Sequence, residues 1–207
     1  KEVDMLYFAT ALIQFADGLI SVFIPVFLWE LGMPLWQILF FYFLRSVYYL
    51  GALPFLLPLI KRLSDKMLMF LGIPTLILYF MGIEYIEVYP WLFYVLPLGA
   101  TLHILFYYLG YHANFSRAAD GDRVGEEVGT NMMIASLVRF VTPFVGGVLI
   151  ATLGFNYTFI IASIILLCST VPLMIFSKRK TGHDFNLKRI LRIGKDKAFR
   201  PLQLSRY

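Results

Sequence analysis

The chain has 207 residues, of which 59% are hydrophobic and only 15% are charged, and its formal net charge is +5. A soluble domain has about 45–50% apolar and about 25% charged residues, so this composition excludes a disordered chain and almost any soluble enzyme of this size. The single cysteine, Cys168, lies inside an apolar run and excludes an intrachain disulfide. We therefore expect a polytopic membrane protein.

Six apolar segments are long enough to cross a membrane as helices, which takes about 20 residues each. They are too long and too uniformly apolar for the strands of a barrel. The sequence therefore predicts an all-α membrane protein, with a six-helix bundle over residues 1–177 and a basic cytoplasmic segment over residues 178–207. The predicted spans, numbered 1 to 6 in chain order, are about 5–29, 34–60, 67–83, 90–111, 130–153 and 157–176.

The positions of Lys and Arg predict the orientation of the bundle. Sixteen of the 18 basic residues lie in the terminal segments and in the loops after spans 2 and 4, whereas the other loops carry only Glu30, Glu84 and Glu87. Basic residues collect on the cytoplasmic side, so we expect both ends of the bundle in the cytoplasm of a cell-membrane protein. The net charge thus indicates topology rather than nucleic-acid binding. The basic segment fits an amphipathic helix on the anionic inner leaflet or, equally, a solvated linker.

Four ionisable side chains lie inside the predicted spans, where a charge costs about 2.5–3.5 kcal/mol on insertion. Asp17 and Arg45 are each 14 residues from Leu31 in the turn between spans 1 and 2, which is about 21 Å along either helix. They lie at one depth on antiparallel neighbours, so we expect an ion pair. His103 lies near the middle of span 4, and Arg139 lies somewhat before the middle of span 5.

Polar residues at helical spacing extend these positions into stripes, because residues three, four and seven apart share a helix face. Spans 3 and 6 carry no charge, so polarity repeats after three helices, as in inverted-repeat transporters. We expect two inverted three-helix repeats, with spans 1, 2, 4 and 5 around a pathway and spans 3 and 6 facing lipid. The predicted solute or ion pathway comprises Gln14, Asp17, Ser21, Arg45, Tyr49, His103 and Arg139.

Each polar group also has a structural interpretation. The Asp17–Arg45 pair would lock two helices together without forming a cavity. Arg139 would reach back to the cytoplasmic interface if its helix began late. His103 would serve as an interhelical hydrogen-bond partner.

Two motifs resemble those of a known family. The loop Lys61-Arg62-Leu63-Ser64-Asp65-Lys66 lies where major facilitator superfamily transporters have Asp-Arg-x-Gly-Arg-Arg/Lys, and Arg62 and Lys66 match that signature. The run Thr142-Pro143-Phe144-Val145-Gly146-Gly147 is similar to the family's Gly-Pro-x-x-Gly-Gly. The resemblance implies a gating role for Arg62, Asp65 and Lys66, and close helix packing at Pro143, Gly146 and Gly147.

The resemblance extends over nearly the whole chain and implies the N-terminal six-helix half of such a transporter. Spans 1 and 4 would then line the cavity, spans 2 and 5 would meet the second half, and spans 3 and 6 would lie outside. Because the chain begins almost directly at span 1 and carries six spans, we expect a fragment that lacks spans 7–12. An obligate homodimer of halves is the alternative.

The leading hypothesis for function is secondary active transport of a small solute by alternating access, with Asp17 as a proton or cation site tuned by Arg45. Arg139 and His103 favour an anionic or polar solute. We expect the lipid bilayer and the second half as partners, with no cofactor and no metal. One alternative is an intramembrane lipid-modifying enzyme, since Asp120–Arg123 is weakly similar to the Asp-Gly-x-x-Ala-Arg of head-group transferases. The other is a non-transporting sensor or assembly module.

Overall fold

A computed structural model describes residues 2–118 and 124–176 of the chain, and those residues form helices joined by short turns, with no strand among them. The α-helices are Glu2–Ile20, Ile24–Glu30, Leu35–Arg62, Asp65–Ile83, Leu92–His103, Leu109–Ala118, Val124–Leu153 and Phe155–Phe176, and Ile104–Tyr108 is π-helical. Six stretches are long and apolar enough to cross a membrane, which confirms the predicted six-helix, all-α architecture. These spans, 1 to 6, are Tyr7–Glu30, Leu35–Ile60, Asp65–Ile83, Leu92–Ala113, Gly125–Leu153 and Phe155–Pro172. The basic segment 178–207 lies outside the described residues.

Spans 4 and 5 extend further than the sequence predicts. Residues 112–129 read as a polar loop, but helix Leu109–Ala118 continues into them and helix Val124–Leu153 begins inside them. Helical hydrogen bonds do not require apolar side chains, so a helix continues beyond the apolar stretch that hydropathy detects. Arg139 is therefore 15 residues, or about 22 Å, from the start of its helix. The late helix start that would let it reach the interface does not occur.

The charge pattern predicts that one end of the bundle is extracellular, and we call this the outer end. Two glycines close the turns there. Gly32 has φ +79° and Gly154 has φ +85°, a left-handed conformation that glycine adopts without steric penalty. Span 1 is also interrupted at residues 21–23. Pro25 lies in the first turn of the helix that follows, where its missing N–H has no partner to lose. The interruption begins one turn after Asp17.

Spans 1 and 5 pack with their backbones in contact. A Cβ atom at Gly18 would collide with Thr142, and one at Gly146 would collide with the carbonyl oxygen of Leu19. Small residues at such contacts let two membrane helices approach closely. From one contact pair to the next, the residue numbers rise along both helices. The two spans therefore run parallel. A Cβ at Gly147 would meet Phe23 at 3.4 Å, an ordinary packing distance.

Spans 3 and 4 pack as closely but run antiparallel. A Cβ at Gly72 would lie 2.8 Å from the backbone nitrogen of Tyr107, and one at Gly110 would lie 2.7 Å from the carbonyl oxygen of Asp65. Tyr107 belongs to the π-helical turn and is fully buried. This contact fixes the position of the π-helical turn against span 3.

The burial of the spans divides them into two groups. Spans 3 and 6 have 44% and 39% of their most apolar stretch buried, close to the 44% of spans 1 and 4, whereas spans 2 and 5 have 6% and 11%. Spans 3 and 6 are therefore core helices of this bundle, although one face of each remains exposed. A lack of charge does not separate helix-facing from lipid-facing surfaces, because both environments are apolar.

We predict that Gly146→Ala lowers the stability of the bundle by about 1–3 kcal/mol, because the new methyl group overpacks the contact with Leu19. Thermal unfolding of the detergent-purified protein measures the change. Gly129→Ala is the matched control, since a Cβ at Gly129 meets nothing within 4 Å. Equal melting temperatures for the two variants would contradict the close packing of spans 1 and 5.

Candidate functional site

A cavity of about 400 Å³ lies among spans 1 to 5 at the level where span 1 is interrupted. Sites for small molecules have volumes of about 300–1,000 Å³, so this cavity has room for an organic solute. Its wall combines ionisable side chains with tyrosines and aliphatic residues. The lining residues are Asp17, Ser21, Ile24, Tyr42, Arg45, Leu76, Tyr79, Ala100, His103, Ile104, Tyr108 and Arg139.

The structure brings together most of the residues that the sequence assigns to the pathway. Five of the seven line the cavity directly. Gln14 lies just behind the wall and is 4% exposed. Tyr49 lies outside the cavity and has 42% of its surface exposed. It is one helical turn after Arg45, so it continues the same helix face beyond the cavity.

Asp17 and Arg45 share the cavity but do not form the expected ion pair. Within residues 2–118 and 124–176, no oxygen of Asp17 lies within 4.0 Å of a guanidinium nitrogen of Arg45. Arg45 and Arg139 both act electrostatically on the Asp17 carboxylate. One acid therefore faces two bases across an open space, and water or a solute fits between them.

Gln14 connects span 1 to both span 5 and span 4. The Nε–H of Arg139 donates to Oε1 of Gln14 at 2.8 Å, and Nε2 of Gln14 donates to the Tyr108 hydroxyl at 2.8 Å. The amide uses its acceptor on one neighbour and a donor on the other. Its two hydrogen bonds hold the Arg139 side chain at the cavity wall.

His103 has the hydrogen bond that its structural interpretation expects, and it also lines the cavity. Its Nδ1 lies 2.8 Å from the carbonyl oxygen of Gly72. A carbonyl only accepts, so Nδ1 carries the proton, and Nε2 of the neutral ring is an acceptor. The ring stacks on Tyr107, with centroids 5.5 Å apart and an angle of 10° between the planes.

The π-helical turn brings a second residue of span 4 to the cavity. His103 and Tyr108 are five residues apart, a spacing that separates side chains by about 140° on an α-helix. A π-helical turn, with its i→i+5 hydrogen bonds, brings residues five apart to nearly one face. Both side chains consequently line the cavity. Ile104, four residues before Tyr108, lines the same cavity.

Sequence reasoning missed two tyrosines of the wall and the contact that holds Arg45. Helical spacing places Tyr42 on the polar stripe of Arg45, but Tyr79 and Tyr108 read as packing or interfacial aromatics, which most aromatics of a membrane bundle are. The fully buried Thr101 hydroxyl lies 3.1 Å from the Arg45 carbonyl oxygen and fixes that residue's backbone against span 4. The Thr101 hydroxyl inside an apolar span was the signal for this contact, because hydroxyl groups join membrane helices by hydrogen bonds.

The loop residues to which the resemblance assigns gating lie at the inner end of the bundle, opposite the outer end. Asp65 is 2% exposed in the first turn of span 3, where the helix dipole favours a carboxylate. Ser64 caps that helix by accepting from the Met67 amide at 3.3 Å. Arg62 is exposed and Lys66 is partly buried. The cavity lining includes none of these residues.

A second cavity of about 410 Å³ lies at the outer end, between the first turns of spans 2 and 4. Its lining is mostly apolar and includes four aromatic side chains, and Glu87 is its one carboxylate. Nearby, burial raises the pKa of the Glu84 carboxyl above its ordinary value.

The part of the chain that the structure describes has no group of three or more His, Cys, Asp or Glu side chains that could hold a metal ion. The Asp120–Arg123 loop of the enzyme alternative lies outside that part.

We predict that Gln14 and Arg139 are energetically coupled in the folded bundle. A double-mutant cycle with Gln14→Leu and Arg139→Met measures the coupling in the free energy of unfolding. Hydrogen bonds between membrane helices contribute about 0.6 kcal/mol on average and up to about 1.7 kcal/mol, so we expect a value in this range. Pairing Ser46→Ala with Arg139→Met is the control, because Ser46 is exposed on span 2. Additive effects of Gln14→Leu and Arg139→Met would show that their hydrogen bond contributes nothing.

The comparisons with known proteins agree with this architecture. The model of the Major Facilitator Superfamily matches residues 6–204, which include all six spans. No curated protein matches the chain. A match over nearly the whole length, together with six membrane-spanning helices, identifies the family. The chain belongs to the Major Facilitator Superfamily, whose members transport small solutes across membranes.

Proposed function

We propose that the chain is the N-terminal half of a secondary active transporter of the cell membrane that moves a small solute by alternating access. The observation that carries this proposal is the cavity, in which Asp17, Arg45 and Arg139 from three spans meet near the middle of the bundle. Ionisable side chains at this depth face a water-filled space or a partner, because exposure to acyl chains is costly. A wetted site at mid-membrane is the requirement for alternating access.

The burial pattern supports two repeats of three helices. The buried shares are 44, 6 and 44% for spans 1 to 3 and 44, 11 and 39% for spans 4 to 6. The same order in both triplets fits inverted repeats, in which corresponding helices occupy corresponding positions. The tight parallel contact of spans 1 and 5 then belongs to the interface between the repeats.

The exposed faces of spans 2 and 5 support a second half. Large apolar side chains are solvent-accessible there, including Leu50 at 76%, Phe55 at 84%, Phe140 at 70% and Phe144 at 68%. Arg139 is also exposed on the cavity side. An apolar surface that includes a charged group suits contact with protein around a polar site better than contact with lipid. Six further helices would cover this surface and close the cavity.

Asp17 is the proposed coupling site. It is the one carboxylate in the described cavity lining, and it faces two guanidinium groups without direct contact. Protonation or cation binding there would change the charge of the cavity by one unit. That change would be sensed by Arg45 and Arg139, which a solute would also contact.

We predict that thiol labelling from outside intact cells confirms the orientation. In a Cys168→Ser background, a membrane-impermeant maleimide should label cysteines placed at Glu30 or Glu87. A cysteine at Arg62 should react only after permeabilisation, because the positive-inside rule places this loop in the cytoplasm. The reverse pattern would refute cytoplasmic termini of the bundle.

We predict that Asp17→Asn and Arg45→Gln each reduce solute uptake by the full-length protein at least tenfold. Each substitution removes one charge from the proposed site and leaves its counterpart uncompensated. Uptake into cells, normalised to the amount of protein in the membrane, is the measurement. The control is Ser46→Ala, on the exposed face of span 2, the helix that carries Arg45. This variant should transport as the wild type does. Wild-type uptake by both charge variants would make the two residues structural and leave the sensor or assembly module as the better hypothesis.

A further inference from the structure

The cavity has more positive than negative charge in its described lining. Arg45 and Arg139 contribute two guanidinium groups and Asp17 contributes one carboxylate, while Nδ1 of His103 is bonded to the Gly72 carbonyl oxygen. We propose that this cavity binds a small organic anion and that Asp17 is the internal competitor of that anion for the two arginines. This inference rests on the proposed transport function, because it assumes that the cavity is the solute site.

The arginines have donors available for such an anion. Within residues 2–118 and 124–176, the Arg45 side chain has neither a hydrogen bond nor an ion pair, so all five of its N–H donors remain. Arg139 is bonded through Nε to Gln14 and also makes a hydrogen bond with Tyr108, and its side chain lines the cavity. Guanidinium groups bind carboxylates and phosphates with paired, charge-assisted hydrogen bonds. Two of them in one cavity lining favour an anionic solute over a cation.

The rest of the wall indicates an organic anion rather than an inorganic one. Ile24, Leu76 and Ile104 line the same space as the tyrosines Tyr42 and Tyr79. A cavity of about 400 Å³ is much larger than a single inorganic ion, and its apolar part suits a hydrocarbon or aromatic body. The tyrosine hydroxyls and His103 Nε2 are available for polar substituents. A carboxylate on an aryl or alkyl body satisfies both parts of the wall.

Asp17 links anion binding to protonation. When Asp17 is ionised, its negative charge already compensates one arginine, and a solute anion must enter against it. When Asp17 is protonated, the lining holds two uncompensated positive charges, and the anion binds more tightly. Linkage is reciprocal, so the bound anion also favours the protonated acid. Proton and anion then occupy the cavity together.

Other titratable groups face Asp17, and the test must distinguish their pH response from that of Asp17. Span 2 contributes Tyr42 and Arg45, span 3 contributes Tyr79, span 4 contributes His103 and Tyr108, and span 5 contributes Arg139. Arginine stays charged throughout the physiological range. His103 is the main rival for a response near neutral pH. An Asp17→Asn variant separates the two, because it retains His103.

Protection of one engineered thiol from alkylation tests the inference. Ser21 lines the cavity, so Ser21→Cys is made in the full chain with Cys168→Ser and reconstituted in lipid nanodiscs. The rate of alkylation by a charged, water-soluble reagent is measured alone and with benzoate, benzamide or benzamidinium at millimolar concentration. These three probes share a ring and similar size but carry a negative, zero and positive charge. Alkylation without a probe tests whether water reaches the cavity, which the proposed function requires.

We expect benzoate to slow alkylation and the other two probes to have little effect. Benzoate should protect about tenfold more weakly in Arg45→Gln, because charge-assisted hydrogen bonds are lost, and Arg45→Lys should retain part of the protection. As the pH is lowered, protection should strengthen in the parent protein, because Asp17 takes up a proton. In Asp17→Asn it should be strong and independent of pH. Glu126→Gln, an exposed acid at the inner end, should behave as the parent.

The outcomes separate the two proposals. If the Ser21→Cys thiol reacts but benzoate protects no better than benzamide or benzamidinium, anion binding is wrong while the wetted cavity stands. If Asp17→Asn keeps the pH dependence of the parent, another group carries it and Asp17 is not the competitor. If the thiol does not react although the protein elutes as a folded species, the cavity is dry and the proposed function itself fails.

Discussion

The backbone contact between spans 1 and 5 is the constraint on which the cavity depends. Gly18 and Gly146 have no room for a Cβ, so their helices touch directly. Gln14 lies one turn before Gly18, and Arg139 lies one turn before Thr142. Nε of Arg139 lies 2.8 Å from Oε1 of Gln14. A bulkier residue at the contact would separate the helices and withdraw the guanidinium from the cavity. Small residues thus position a charge that they do not touch.

The other walls of the cavity are held by backbone carbonyls. His103 is bonded to the Gly72 carbonyl oxygen and Thr101 to that of Arg45. A polar side chain inside an apolar bundle needs a partner, and a helix carbonyl can accept a second hydrogen bond through its remaining lone pair. This arrangement fixes span 4 to spans 2 and 3 without using the cavity's charged groups. Asp17 and Arg45 therefore remain available to the solute.

The sequence predicts what depends on local composition and misses what depends on packing. Six spans and the depth of Asp17, Arg45 and His103 follow from hydropathy and from counting residues along helices. The π-helical turn, the missing Asp17–Arg45 contact and the tyrosine wall depend on how helices rotate and approach, which single-span patterns do not encode. Arg139 combines a property that local composition predicts with one that it does not. Its residue type marked it as a cavity candidate, but only the position of the helix start decided its depth.

The exposed faces of spans 2 and 5 connect the fold to the proposed mechanism. A helix pair that is 6% and 11% buried leaves one side of the cavity open within this chain. If a second six-helix half covers that side, then the residues it places opposite Arg139 set the final charge of the site. Asp17 is already the one acid on the described walls. An apolar or neutral opposite wall would preserve the competition between Asp17 and an anion, whereas an added acid would abolish it. The charge balance of the complete cavity thus decides whether proton and solute travel together.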